Sequence, residues 1–474
     1  MSSYYPHTLF FPGKRHTVVI SGPHIQVLDS TTGAVVSSTL SLDDTSKEKV
    51  LKSGPVRCAA VNRDQSHLVT VGEDKRMKVW LVDELKVLNE RELPKKPTQI
   101  LFTQDSQTIL VADKFGDVFS YPLNAPETPG DLTESAERYT LASHENSSGG
   151  TLILGHTSLL TSVLLTMDER YIVTSDRDEH IRVSWYPQGY CIESYCLGHT
   201  KFVSAIHIPI FAPSLLLSGG GDSSLRKWDW LSGKPLGEIP ILDSVQPFIK
   251  VLPQKRKRGE DDEGDGEAGA EGDDKKSRKS HGRKGRGKNK KAEDANVDEG
   301  GSGSSEPQVG EAVVQVAATE DVSTLVLQKL HAIEMDKKQW AVFSAIGATA
   351  LFWVPLDATT ADTVHAHDFG KPVIGFTPAD NDGKPGLYWV MLDADWTDGN
   401  ATSGPTTSAQ AIRLVQLSSE SASEVTPPAA QLLSSLNTQC LIPASVEARA
   451  GLDLYSDLTN MPKNVDVAHN PMVR

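Results

Sequence analysis

Cysteine is scarce in this sequence, with four in 474 residues and no Cys-x-x-Cys pair. A disulfide-stabilised secreted domain and a thiolate zinc site both need more closely spaced cysteines. We therefore expect a reducing compartment. No stretch approaches eighteen consecutive apolar residues, which argues against a transmembrane helix. The first sixteen residues lack a basic segment followed by an apolar one, so we expect no secretory signal.

The common catalytic motifs are also missing. The sequence has no Gly-x-Ser-x-Gly elbow, no Walker loop and no Gly-x-Gly-x-x-Gly that opens a helix. His365-x-His367-Asp368 could in principle hold a metal, but a lone cluster of this kind is more often an exposed turn. We expect no catalytic residue, no cofactor and no metal. The chain is predicted not to be an enzyme by itself.

Acidic residues outnumber basic ones, 62 to 47, for a net charge of −15. Outside the low-complexity segment Lys255–Asp294 the chain has 33 basic and 51 acidic residues, a net charge of −18. Phosphate contacts need clustered Lys and Arg, so this body is a poor binder of nucleic acid on its own. If RNA is bound, a basic partner or a local basic patch has to hold it.

Two consecutive units of similar length organise the middle of the chain. One opens with Gly155-His156 and the next with Gly198-His199, so that their histidines are 43 residues apart. The second unit closes with Trp228-Asp229. A Gly-His opening and a Trp-Asp close at this period are the signature of a four-stranded blade in a WD-repeat β-propeller. Seven blades need about 280–315 residues, which this chain provides.

We therefore predict an all-β, seven-bladed propeller, with the N-terminal strand completing the ring. The predicted segments are blades one to five in 1–250, a disordered charged insertion in 251–310, blades six and seven in 311–442, and a weakly ordered tail in 443–474. The insertion is too polar to bury a core. Its basic clusters, Lys255–Arg258 and Lys275–Lys291, predict nuclear localisation, and the alternative is a solvated loop without that role.

A buried polar network is expected inside the repeated blades. In it the turn aspartate accepts from the histidine, the histidine reaches a Ser or Thr hydroxyl, and the hydroxyl meets the indole N–H. Ser184 stands where blade four should carry its tryptophan, so that blade departs from the pattern. The residues predicted to form this structural network are His156, Thr174, Asp178, His199, Ser218, Asp222 and Trp228.

Charged residues on two adjacent blades are the candidates for binding a partner. They are Arg177, Glu179, His180, Arg182 and Lys201. A solvated rim would explain most residues of this kind. A docking patch is the functional alternative, because polar loop residues often carry binding and an Arg fork can grip a carboxylate with two hydrogen bonds.

Four segments, found in order along the chain, are more specific than a generic propeller. They are 112–118 (Ala-Asp-Lys-Phe-Gly-Asp-Val), 155–161 (Gly-His-x-Ser-x-Leu-Thr), 175–184 (Ser-Asp-Arg-Asp-Glu-His-Ile-Arg-Val-Ser) and 196–204 (Cys-Leu-Gly-His-x-x-Phe-Val-Ser). Together they resemble the WD-repeat non-catalytic subunit family of the tRNA (guanine-N7) methyltransferase. The resemblance covers about residues 56–235, and the remainder agrees only in architecture.

That resemblance implies a partner. The partner is a separate S-adenosylmethionine-dependent methyltransferase that modifies a guanine in the variable loop of tRNA. The propeller is expected to form a heterodimer with it, to hold it in its active form and to help seat the tRNA. The family's docking surface maps onto blade four and the start of blade five. Arg177, Arg182 and Lys201 then become candidates to pair with acidic groups of the partner.

Other functions remain open on the sequence alone. A nuclear scaffold in ribosome assembly or chromatin would share the repeats and the basic clusters, but not the segments quoted above. A ubiquitin-ligase substrate receptor would need Trp-Asp-x-Arg, whereas Trp228-Asp229 is followed by Trp230-Leu231. An enzyme in its own right is the third class, and the missing nucleophile and cofactor motifs count against it.

Overall fold

A computed structural model describes residues 3–125, 148–253, 324–379, 385–397, 410–425 and 430–462. Seven antiparallel sheets of four strands make up this part of the chain, and they form a seven-bladed β-propeller. The predicted all-β fold is confirmed. The predicted insertion lies outside the described residues from 254 onward, as does the tail beyond 462.

The first three blades are built from consecutive strands. Blade one contains β1 (His7–Phe11), β2 (His16–Ser21), β3 (His24–Asp29) and β4 (Val35–Ser38); blade two contains β5 (Cys58–Val61), β6 (His67–Val71), β7 (Arg76–Leu81) and β8 (Lys86–Glu92); blade three contains β9 (Pro97–Phe102), β10 (Thr108–Asp113), β11 (Asp117–Pro122) and β12 (Thr151–Gly155). The helix α1 (Asp44–Lys52) and a 3₁₀ turn (Thr39–Ser41) join blade one to blade two.

The remaining four blades follow the same plan. Blade four contains β13 (Leu160–Leu165), β14 (Tyr171–Asp176), β15 (Ile181–Trp185) and β16 (Ile192–Tyr195); blade five contains β17 (Val203–His207), β18 (Leu215–Gly220), β19 (Ser224–Asp229) and β20 (Lys234–Pro240); blade six contains β21 (Leu327–Met335), β22 (Lys338–Ala345), β23 (Ala350–Pro355) and β24 (His365–Asp368); blade seven contains β25 (Val373–Pro378), β26 (Leu387–Leu392), β27 (Ile412–Leu417) and β28 (Ala422–Glu424).

Four helices and two 3₁₀ turns complete the described structure. They are α2 (Leu242–Val245), α3 (Ala430–Leu436), α4 (Val446–Ala450), α5 (Asp457–Asn460) and the 3₁₀ turns Gln246–Phe248 and Ala361–Thr363.

The blades pack face to face, so their middle strands are buried on both sides. All six residues of β14 are buried, and β6 has four buried residues of five. Outer strands such as β16 and β20 are mostly exposed. Each interface between blades is its own hydrophobic cluster, such as the one that joins Leu225 of blade five to Phe343 of blade six. Burial of this apolar surface is the main force that holds the ring together.

The first strand of each blade lies innermost, and neighbouring inner strands contact one another around a central channel. The turn from the second to the third strand and the loop into the next blade lie at the same end of the ring. We call this end the upper face. It carries the β14–β15 turn (residues 177–180) and the β16–β17 loop (residues 196–202).

Ring closure differs from the expectation. The N-terminal strand β1 is the innermost strand of blade one, and blade seven takes all four of its strands from residues 373–424. No strand is therefore exchanged between the first and last blades of the described structure. The ring closes through side-chain packing, in which Phe10 of β1 contacts Trp389 of β26 and the helix α3 adds Leu432 and Leu436.

Residues 443–462 form a strap across the upper face, although the sequence predicts a weakly ordered tail there. Arg449 of α4 pairs with Asp393 of blade seven at 2.7 Å and with Asp395. Arg57 of blade two donates hydrogen bonds to the carbonyl oxygens of Gly451, at 2.9 Å, and Leu452. The strap thus connects the two sides of the seam that closes the ring.

Within the described residues, no helix has both the length and the apolar character that crossing a bilayer requires.

Candidate docking surface on blades four and five

Blade five contains the complete predicted network. Nδ1 of His199 lies 2.6 Å from Asp222, and Nε2 lies 2.7 Å from the hydroxyl of Ser218. The same hydroxyl accepts the indole N–H of Trp228 at 2.8 Å. Every member of this buried hydrogen-bond network therefore has a partner, which explains why these residue types recur at this spacing. Asp222 is partly desolvated, which by itself raises its pKa, but the hydrogen bonds from His199 and Thr200 outweigh burial and lower the pKa to about 2.

The glycine before each network histidine is required by close packing. Gly198 has φ of +148°, and a Cβ there would lie 3.3 Å from the ring of Trp228. A Cβ at Gly155 would lie 2.7 Å from the carboxylate of Asp117. The Gly-His openings thus reflect the narrow space in which the loop passes the blade.

In blade four the carboxylate bound to His156 is Asp176, so the prediction of Asp178 at this position is wrong. Nδ1 of His156 lies 2.9 Å from Oδ2 of Asp176, and Nε2 lies 2.8 Å from the hydroxyl of Thr174, as predicted. Burial raises the pKa of Asp176, but the hydrogen bonds from His156 and from the backbone of His180 outweigh it and leave the pKa below its usual value.

The physical reason for this change is the shape of the turn. Asp176 is the last residue of β14, and its Oδ1 also accepts the backbone N–H groups of Asp178, at 2.8 Å, and His180, at 3.0 Å. In blade five the corresponding strand ends on glycine, at Gly220, which has no side chain to reach the histidine. Asp222, two residues further along, takes that role. Asp178 and Asp222 both lie four residues after the hydroxyl residue of their blade, yet only Asp222 binds the network histidine.

Arg182 is a structural residue, so its prediction as a partner-binding residue is not supported by its position. Its side chain lies inside blade four, and the residue is only 8% exposed. Nε donates to the hydroxyl of Ser184 at 2.8 Å, and the two terminal nitrogens donate to the carbonyl oxygens of Gly155, at 3.0 Å, and Gly189. Burial lowers the pKa of Arg182.

The serine at the tryptophan position gives the buried guanidinium of Arg182 a hydrogen-bond partner. Ser184 pairs with Ile172 in the register where Trp228 of blade five pairs with Leu216. Arg182 lies two residues before Ser184, on the same side of β15, and its Nε reaches the serine hydroxyl. The two backbone carbonyls accept from its other nitrogens, so each nitrogen of the buried guanidinium has a partner.

The other four predicted docking residues lie on the upper face. Arg177, Glu179 and His180 belong to the β14–β15 turn, and Lys201 belongs to the β16–β17 loop. The two segments are neighbours, because the backbone of Arg177 bonds to Leu159 while Thr161, two residues along, bonds to Val203 next to the loop. His180 and Lys201 are exposed, and Arg177 and Glu179 are half-buried.

The strap reaches this patch, which the sequence does not predict. Nη1 of Arg177 donates to the carbonyl oxygen of Asn460 at 3.4 Å. Leu458 packs against Phe202 of the β16–β17 loop, together with Val326 and Ile346 of blade six. The helix α5 thus links the patch to blade six. Its four residues, Asp-Leu-Thr-Asn, give little sequence signal for either contact.

An apolar strip on the outer edge of blade four is not predicted by the sequence patterns. Tyr190 is 76% exposed, Leu197 is 59% exposed, and Ile192 and Tyr195 of β16 are exposed as well. Large apolar side chains that cluster on an edge strand are typical of a surface that contacts another protein. Leu197 and Lys201 belong to the same β16–β17 loop, so this loop carries both apolar and charged exposed side chains.

A metal site is not assembled in the described residues, where no group of three His, Cys, Asp or Glu side chains is placed to hold an ion. His365 stacks on Trp353 with ring centres 5.2 Å apart, and His367 lies 3.8 Å from Glu424.

Comparison with known proteins gives a family for this surface. The family model described as "tRNA methyltransferase TRM82 WD40 domain" matches residues 30–149 and 134–263. Three curated relatives carry the name tRNA (guanine-N(7)-)-methyltransferase non-catalytic subunit. They are trm82 of Aspergillus oryzae (38% identical over 253 residues, 44% of this chain and 51% of that protein), TRM82 of Vanderwaltozyma polyspora (35% over 203 residues, 41% and 42%) and WDR4 of Bos taurus (36% over 195 residues, 41% and 42%).

The chain spans about half the length of the curated relatives it matches. The matched region runs from β4 to the end of blade five and includes the patch and the apolar strip. Through residues 30–263, this chain belongs to the TRM82 WD40 domain family.

Proposed function

We propose that this chain is a non-catalytic accessory subunit of a tRNA (guanine-N7) methyltransferase. It binds an S-adenosylmethionine-dependent methyltransferase as a heterodimer and stabilises it in its active form for N7-methylation of a variable-loop guanine. The main support is the family match over residues 30–263, together with relatives whose names give a non-catalytic subunit of this methyltransferase. The tRNA is reached mainly through the complex.

The geometry of blades four and five supports a docking role. A charged patch on the upper face adjoins a strip of exposed apolar side chains on the outer edge. This combination fits a protein interface, in which apolar groups supply affinity and charged groups select the partner and its orientation. Arg177 and Lys201 would pair with acidic groups of the catalytic subunit, while the acidic propeller body is unsuited to hold tRNA alone.

Formation of 7-methylguanosine on a tRNA transcript tests the proposal. The candidate methyltransferase is assayed with and without the full-length chain, and the two proteins are run together on a sizing column. We expect co-elution and a gain in activity of roughly tenfold or more, because the free catalytic subunit populates its active conformation less than the bound one does. No gain and no co-elution would overturn the proposal.

The docking patch is tested by charge reversal. The double variant Arg177→Glu, Lys201→Glu places like charges opposite the acidic groups of the partner, so we expect binding to weaken by roughly tenfold or more. The matched control is Lys86→Glu, an exposed lysine on the outer strand of blade two. Both variants should keep the wild-type melting temperature. Unchanged affinity of the double variant would place the interface elsewhere.

Nuclear localisation is part of the proposal, and its support is the pair of basic clusters at 255–258 and 275–291. Replacement of the four basic residues of the first cluster by Ala, with and without the second, should move a fluorescent fusion out of the nucleus. The same clusters also fit the second candidate function, a nuclear scaffold in ribosome assembly or chromatin. Pull-down of ribosomal or chromatin proteins without a methyltransferase would favour that function.

A further inference from the structure

A group of basic and polar side chains lines one side of the central channel, away from the docking patch. Lys329 and His331 lie on the inner strand β21 of blade six, and His207 ends the inner strand β17 of blade five. The rings of His207 and His331 have centres 5.0 Å apart. Tyr388 of blade seven places its hydroxyl 2.8 Å from Nδ1 of His331.

The lysine in this group carries a charge that no carboxylate neutralises. In the described part of the chain Lys329 forms no ion pair, and its ammonium lies 5.6 Å from the ring centre of Phe376. The side chain of Lys329 is exposed to water, while the surrounding blades reduce its hydration enough to lower its pKa to about 8. A cation in such a place is stabilised by any anion that can reach it.

The two histidines are neutral and available as hydrogen-bond donors. Burial lowers the pKa of His207 to about 4, and the charge of Lys329 acts in the same direction. For His331 burial, His207 and Lys329 together lower the pKa to about 3. Burial also raises the pKa of Tyr388, so the phenol keeps its proton and can donate it to Nδ1 of His331. The ring proton of His331 is then on Nε2, which leaves an N–H free to donate.

The strap limits what can reach this group. Leu458 packs on Phe202, Val326 and Ile346, which surround the upper end of the inner strands β17 and β21. These contacts cover the group from the upper face, which favours a small ligand over a macromolecule. Sulfate and phosphate have the size and the oxygen acceptors that an ammonium and two imidazole N–H groups recognise.

We propose that Lys329, His207 and His331 form a binding site for a small inorganic oxyanion in the central channel. The anion accepts hydrogen bonds from the ammonium of Lys329 and from the imidazole N–H groups. It neutralises the one uncompensated cation of this group and ties together the inner strands of blades five and six. The site is a structural anchor within an acidic protein and is separate from the docking surface.

Calorimetric titration of the full-length protein with sodium sulfate tests the site, because the charge of sulfate is constant between pH 6 and pH 10. We expect one saturable binding event at pH 7 and at least a tenfold loss of affinity at pH 10. The sign follows from Lys329, which loses its proton as the pH rises past about 8. This pH series uses the wild type alone, so it does not depend on a variant that folds.

Variants then assign the binding to these residues. Lys329→Met should abolish sulfate binding, because it removes the cation of the group. Lys338→Met, an exposed lysine of the same β-hairpin, is the matched control and should bind as the wild type does. Equal binding by Lys329→Met and wild type, or weak non-saturating binding at every pH, would mean an adventitious ion only and would overturn the proposal.

Discussion

The carboxylate of Asp176 joins the ring of His156 to the turn that follows β14. One oxygen lies 2.9 Å from Nδ1 of His156, and the other accepts the N–H of Asp178 at 2.8 Å. The loop that enters blade four and the turn that carries Arg177 are thus fixed to the same side chain. The position of the docking patch therefore depends on a buried residue that does not belong to it.

Substitution of the two aspartates separates these roles. Asp176→Asn should reduce the free energy of unfolding by about 2 kcal/mol, because a charge-assisted hydrogen bond in a buried site is weakened. Asp178→Asn should change it by about 0.5 kcal/mol or less, as expected for a turn position outside the network. Urea unfolding of the two variants measures the difference. A larger loss for Asp178→Asn would show that Asp178 is the network carboxylate after all.

Arg182 is expected to matter for stability rather than for direct contact with a partner. Arg182→Lys keeps the charge but cannot reach Ser184, Gly155 and Gly189 at once, so we expect a loss of about 2 kcal/mol in unfolding free energy. Arg177→Lys, at a half-buried position of the same blade with one long hydrogen bond to Asn460, is the control and should lose about 0.5 kcal/mol or less.

A binding assay with Arg182→Lys completes this test. Any weakening of partner binding should accompany a lower melting temperature and should be relieved when the assay is cooled. Weaker binding with unchanged thermal stability would return Arg182 to the docking surface.

The repeat period is the part of the structure that the sequence predicts well. Each blade must present strands of fixed length and a turn at a fixed place, so the pattern of Gly-His, hydroxyl, aspartate and tryptophan recurs wherever the blade has the full network. Blade five contains every residue of this pattern. The seven-bladed count follows from the same period.

The rest depends on packing that is not visible in local patterns. Asp176 replaces Asp178 because its strand ends on a residue with a side chain, and Arg182 is held inside the blade by Ser184 and by two backbone carbonyls from other segments. The strap is held by partners far away in the chain, such as Arg57 for Leu452 and Asp393 for Arg449. Its two short helices carry no apolar period that could predict those contacts.

Removal of the strap should weaken the seam between blades one and seven. A chain that ends at residue 442 loses the pairing of Arg449 with Asp393, the hydrogen bond from Tyr455 to the same carboxylate and the two bonds from Arg57 to the strap. We expect the melting temperature to fall by about 5–10 °C, because these contacts are lost together. Hydrogen exchange should become faster in β1 and β25, while β14 keeps its protection.

A chain that ends at residue 462 is the matched control, since it keeps every strap contact described above. It should have the same melting temperature as the full-length protein. The point variant Arg449→Ala should reproduce most of the loss seen on truncation at 442. If truncation at 442 leaves the melting temperature and the exchange of β1 unchanged, the packing of Phe10 on Trp389 is sufficient to close the ring.

The network carboxylate of blade five predicts how stability depends on pH. The pKa of Asp222 is lowered to about 2, below the value of about 3.9 that an aspartate has in an unfolded chain. A group with a lowered pKa contributes stability above the unfolded value, and the contribution is lost as the pH falls through the folded value. Asp222→Asn should thus be less stable than the wild type by about 2 kcal/mol at pH 6, with a difference that shrinks between pH 4 and pH 2.

Thermal unfolding across this pH range measures the difference in stability. The control is Asp357→Asn, at an exposed carboxylate of blade six, which should show no such difference. A gap between Asp222→Asn and wild type that stays constant down to pH 2 would mean that the loss arises from altered packing around His199 and not from the charge of Asp222.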